Sequence, residues 1–189
     1  MKGIIFNLVE DVVSEAYGEQ VWDQLLTEAR LDGGYTSMGD YPDEQLHALV
    51  GAAATTLEVP ADQVLRQFGH GAARGLSEQY PQFFTPHRRS MDFVVTLNDV
   101  IHPEVRKFHR AADPPEFVFT PVDDEELLIE YHSRRGLCAL ADGMLGGAAS
   151  CFGEQVTVQH ETCTHRGDDV CVMRCRFSPA DSGTRRDVG

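Results

Sequence analysis

Apolar residues recur at three- and four-residue steps through the first half of this 189-residue chain and at two-residue steps in much of the second. One chain must therefore build a helical layer and then a sheet. In residues 2–17 Ile4, Ile5, Leu8, Val12, Val13 and Tyr17 keep helical spacing, and after a break at Gly18 so do Val21, Trp22, Leu25 and Leu26. Residues 43–57 (Leu46, Val50, Ala53, Leu57) and 61–79 (Val64, Leu65, Phe68, Ala72, Leu76) repeat the pattern. Pro60 opens the last of these, where a missing N–H costs nothing. The glycines and aspartates of 31–43 mark the loop between the helix pairs.

After a helical stretch around 90–111, β-type runs at 116–120 and 126–132 flank an acidic turn. A helix over 138–151 follows, its Ala and Gly content suited to lying close against something flat or bulky. Residues 154–163 and 170–177 then flank THRGDD as a hairpin with a Gly-Asp turn. The expected class is α+β, with a helical N-terminal subdomain and a C-terminal subdomain of antiparallel sheet and helices. Residues 1–178 read as one domain, and 179–189 as a small, polar, disordered tail.

A formal net charge of −14 argues against nucleic acid or an anionic membrane as partner, since both would repel it. No stretch nears 18 uninterrupted apolar residues, and Glu10 and Asp11 sit where a secretory signal would be basic and apolar, so a cytoplasmic location is expected. A chain of this length buries a core large enough to enclose a cofactor. Five cysteines are an odd number for a disulfide framework and point to metal binding.

Three constellations carry chemistry. The first is His102 in DVIHPEVRKF. Pro103 disfavours α geometry for the residue before it and suits a first helical position, placing His102 at or next to a helix end. Phe93, Leu97, Val100, Ile101, Val105 and Phe108 would make its surroundings a buried wall. On local sequence it is either a hydrogen-bonded core histidine or a ligand. The second is Tyr131-x-Ser133-x-Arg135. At a strand end these share a face and could clamp carboxylates, or form a solvated end with exposed arginines. The third is His160-x2-Cys163-x7-Cys171-x3-Cys175, four zinc-type ligands on a hairpin, with His165 the rival nitrogen and buried free thiols the alternative. Cys138 reads as a small hydrophobe against the pocket. His47, His70, His87, His109 and His132 read as surface or capping residues, and Asp123 to Glu126 as a solvated turn. No Ser-His-Asp, Cys-His or P-loop pattern appears.

The opening MKGIIFNLVEDVV with Gly18 and Trp22, the single His102 and Y-x-S-x-R in that order resemble the haem nitric oxide/oxygen binding (H-NOX) family over residues 1–178. The resemblance implies a b-type haem between the helical, distal subdomain and the proximal one. It implies His102 as proximal iron ligand, Tyr131, Ser133 and Arg135 on the propionates, and Pro115, with Pro114 its rival, against the porphyrin. Some members are similar in carrying a His and three Cys near the C-terminus. In oxygen-binding members a distal tyrosine falls nine residues after the Tyr of Y-x-S-x-R. That position here is Leu140, with Ile5 and Leu8 the apolar distal candidates and Tyr17 or Tyr80 of the N-terminal half the alternative donors.

The expected function is a sensor rather than an enzyme, binding nitric oxide and CO but not O2 stably. The resemblance implies a histidine kinase or cyclic-di-GMP enzyme as the signalling partner in trans. Two other readings stand beside it. A haem peroxidase or oxygenase would need distal acid–base residues or a thiolate ligand. A zinc-and-thiol redox switch would release its metal when Cys163, Cys171 or Cys175 is oxidised.

Overall fold

Gly18, at φ 93°, splits the first apolar run into α1 (Gly3–Tyr17) and α2 (Glu19–Ala29). The computed structural model describes residues 1–108 and 112–180. Two longer helices follow, α3 (Asp43–Thr56) and α4 (Ala61–Gln79), and Pro60 caps the second as its sequence position suggests. Phe6, Val9, Val13, Trp22, Leu25, Leu46, Leu49, Val64 and Phe68 form the core of this helical half.

A single turn, α5 (Pro81–Phe84), was not expected from periodicity, because four residues are too few to show one. The helical stretch expected over 90–111 is in three pieces: α6 (Ser90–Val94), a π-helical turn (Leu97–Ile101) and α7 (His102–Phe108). Residues 109–111, and with them His109, lie outside the described residues.

The second half holds β1 (Glu116–Pro121), β2 (Glu126–His132), α8 (Cys138–Cys151), β3 (Glu154–Thr162) and β4 (Cys171–Pro179). The strands form one antiparallel sheet in the order β1-β2-β4-β3. Alternation sends Leu127, Ile129 and Tyr131 of β2 and Cys171, Met173, Cys175 and Phe177 of β4 inward to a second core. Each large aliphatic side chain fully buried there contributes roughly 1.5–3 kcal/mol. Strand β4 reaches Pro179, and Ala180 N–H donates to Gly153 O, so the ordered chain runs slightly past 178; residues 181–189 lie outside the described residues. The acidic turn is not wholly solvated: Glu126 is 6% exposed and its carboxylate takes hydrogen bonds from Arg174 and Arg176.

Helix α8 belongs to both cores. Leu137 and Ala139 pack into the helical core, whereas Cys138, Ala141, Leu145 and Ala148 face the sheet. The bulky neighbour inferred from its small residues is the backbone of α4. A Cβ on Gly143 would stand 2.1 Å from Arg66 O, on Gly69 2.3 Å from Leu140 O, and on Gly147 2.2 Å from His70 O. Among the described residues no helix is long and apolar enough to cross a membrane.

Candidate functional site

His102 stands where the π-helical turn passes into α7, at φ −64° and ψ −36°. Pro103 therefore does not push it out of helical geometry. The preceding turn widens instead: Ile101 N–H reaches back to Thr96 O and His102 N–H to Leu97 O, each five residues earlier. That widening makes room for a ring that would otherwise crowd the helix and whose nitrogen cannot donate. Leu97 and Ile101 pack against the sheet core as expected, but Val100 is exposed.

The imidazole is partly buried, and its buried Nδ1 has no hydrogen-bond partner among the described residues. Burial, aided by the charge of Arg106, pushes its pKa down to about 4. The ring is thus neutral near pH 7, with a lone pair to offer a metal. It stacks on Phe117 with centroids 5.9 Å apart and planes 30° from parallel, and Phe117 in turn meets Tyr131 at 5.8 Å.

Tyr131 ends the buried face of β2. The strand stops at His132, so Ser133 and Arg135 sit in the turn that follows, and strict alternation does not place all three. Arg135 N–H donates to Ser133 Oγ at 3.3 Å, and its Nε to Asp43 Oδ2 at 2.8 Å, while Nη1 reaches the carbonyl of Asp113. Burial opposes ionisation of Asp43, but the Met1 ammonium and Arg135 outweigh it and hold the carboxyl below its ordinary value. Tyr131, Ser133, Arg106 and Pro114 share a cleft of about 390 Å³. Pro115, next to Pro114, is half-buried. On the helical side Ile5 is half-buried and joins neither core, Leu8 is 1% exposed, and Leu140 of α8 packs partly buried against the helical core.

The thiols require a correction. Cys138, Cys163 and Cys171 bring their sulfurs within 4.8 Å of one another, with Cys163 3.7 Å from Cys138 and 3.8 Å from Cys171. Cys138 is thus a member of the cluster and not merely a small hydrophobe. Cys175 is not a member. It shares a face with Cys171, but four residues along a strand is about 13 Å, too far for one ion. Its thiol is instead pushed up to about 12 by burial and by the carboxylate of Asp142. His160 Nε2 lies 3.3 Å from Asp142 Oδ2, and its Nδ1 is buried without a partner among the described residues. His165 Nε2 lies 2.7 Å from Gly136 O. Burial and the neighbouring Cys171 raise the Cys138 thiol; at Cys171 burial is outweighed by hydrogen bonds from the hydroxyl and amide N–H of Thr164, which hold it below its usual value. His47, His70 and His132 are exposed, as expected.

Sequence reasoning missed Cys138 and Asp43. Nothing in local spacing joins Cys138 to a hairpin 25 residues on, and Asp43 reads only as an acid in the first turn of a helix.

The profile of the haem-NO-binding family matches residues 2–160. The structure of an H-NOX protein from Shewanella oneidensis in the Fe(II)NO state is 32% identical, with a TM-score of 0.87 over 94% of this chain and 99% of that one. An H-NOX domain from Shewanella oneidensis in the Fe(II)CO state gives a TM-score of 0.84 at 32% identity, over 94% of this chain and 99% of that one. An oxygen-binding H-NOX domain, solved as its oxygen complex, shares the fold at 22% identity and a TM-score of 0.78, over 95% of this chain and 96% of that one. The chain belongs to the haem-NO-binding, or H-NOX, family.

Proposed function

We propose that this haem-binding gas-sensor domain holds one haem b through His102 and reports nitric oxide to a separate signalling enzyme, a histidine kinase or a cyclic-di-GMP enzyme. The observation that carries this is the partly buried, neutral His102 ring, whose buried Nδ1 finds no partner among the described residues, because such a group calls for one. Bound haem supplies an iron that takes a diatomic gas. The chain's own part is to hold and to respond. Arg135, Ser133 and Tyr131 offer a guanidinium, a hydroxyl and a phenol to the propionates, and Pro115, half-buried two residues before Phe117, supports a place against the porphyrin. As the iron ligand, His102 would tie the haem to the π-helical turn and α7, so a change in its bond would be passed to that segment. Replacing His102 with Gly tests the reading: an empty coordination position filled by added imidazole is expected, and an unchanged five-coordinate spectrum would reject it.

For the gas, an absent donor supports NO and CO over O2. Leu140 has no donor, so at the distal position it would offer a bound gas no hydrogen bond, which O2 would need more than NO. Tyr17, the rival donor, is 44% exposed, with its hydroxyl 3.5 Å from Gln67. A zinc ion is a second proposed guest. The three converging sulfurs of Cys138, Cys163 and Cys171 favour it, with His160, three residues before Cys163, as the proposed fourth ligand. Oxidation of these thiols would then release the metal.

A further inference from the structure

Beyond the packing of Leu97 and Ile101, one side chain of the π-helical turn that carries His102 hydrogen-bonds to the sheet among the described residues. Asn98 Nδ2 donates to Phe117 O at 2.5 Å, and Phe117 N–H donates to Asn98 Oδ1 at 3.2 Å. Phe117 lies on β1, the outer strand of the sheet, and both of its peptide groups are taken by this one carboxamide. A carboxamide is a peptide bond on a short stem, so Asn98 completes the strand edge as a neighbouring strand would. Using donor and acceptor together also fixes the orientation of the amide.

Phe117 is the residue whose ring stacks on His102. Asn98 and His102 are four residues apart, joined by the widened turn. The three residues therefore close a loop: backbone from Asn98 to His102, ring contact from His102 to Phe117, and a two-point hydrogen bond from Phe117 back to Asn98. His102 cannot leave its place without opening one of these links. Within the turn Thr96 O accepts from both Val100 and Ile101, so the α- and π-type hydrogen bonds share one carbonyl.

We propose that Asn98 is the positioning residue for His102, its carboxamide latching the ligand-bearing turn to the backbone of Phe117 and so setting where the imidazole stands. This role rests on the reading of His102 as the iron ligand; the latch itself does not. Asp at this position keeps the acceptor but loses the donor, and Ala loses both.

Two measurements test it. In the haem-free protein, Asn98→Ala should speed hydrogen exchange at the Phe117 amide about tenfold, with the Ile129 and Met173 amides unchanged as a check on the fold, while Asn98→Asp keeps Phe117 protected. In the reduced haem protein, the iron–histidine stretching band should shift in both variants. The same substitutions placed in His102→Gly protein supplied with imidazole should leave the iron–imidazole band where it was, because that ring is not attached to the turn. Unaltered Phe117 exchange in Asn98→Ala overturns the latch. A band that does not move with His102 present, or moves equally with free imidazole, overturns the positioning role. A His102→Gly protein with the parent spectrum overturns the ligand reading and the role with it, leaving the exchange result to stand on the latch alone.

Discussion

Arg135 and Asp43 join the two halves of the protein, the guanidinium Nε donating to Asp43 Oδ2 at 2.8 Å across 92 residues of sequence. The pair holds the arginine in place beside Ser133 with its side chain only 20% exposed. A charge-assisted hydrogen bond is worth roughly 1.5–3 kcal/mol. Arg135→Ala should therefore release haem at least about ten times faster, measured by transfer to an acceptor apoprotein. Equal release rates would remove Arg135 from the propionate site.

His102 gives the haem-free protein a dependence on pH. Its folded pKa is lowered to about 4, by burial and then by Arg106, from an ordinary value of 6.5. The unfolded chain binds the proton first, so the contribution to stability is whole above pH 6.5 and is lost progressively as pH falls toward 4. Denaturant unfolding of the apoprotein should show this slope, and His102→Gln should flatten it. A parent and a variant with the same slope would contradict the burial of a neutral ring.

Periodicity carried the architecture in the sequence, because α1 to α4 and the strands bury one face each and Gly18 and Pro60 mark their ends. His102 and Tyr131 were legible for the same reason, each set by a local element. The thiol site was legible only in part. Cys163 and Cys171 flank one hairpin, and the spacing of Cys175 already sets it two pleats, about 13 Å, further along β4, so a shared face with Cys171 is not convergence. Cys138 arrives from α8, by packing that no local pattern records. The π-helical turn was hidden too, since Pro103 signals an interrupted helix without saying whether the chain will extend or widen.

The α4–α8 contact makes a paired prediction. Gly143→Ala puts a Cβ against Arg66 O in the interface of the two helices and should cost about 1–3 kcal/mol by denaturant unfolding. Gly51→Ala, in α3 with open space around it, should be neutral or stabilising by up to about 1 kcal/mol. Equal effects would mean that the helices have room to separate.

Metal analysis distinguishes the thiols. Protein purified without chelator should carry about one zinc per chain. Cys138→Ser should lose it and Cys175→Ser should keep it. Retention in Cys138→Ser, or loss in Cys175→Ser, would restore the hairpin-only site.

The absorption spectrum of the reduced protein under each gas tests the central claim most directly. The Soret band should shift with NO and with CO, and exposure to air should give no stable oxy spectrum. Leu140→Tyr, by adding a donor worth roughly 1.5–3 kcal/mol, should raise O2 affinity about 10- to 150-fold. A stable oxy spectrum of the unaltered protein in air would contradict the NO-selective account.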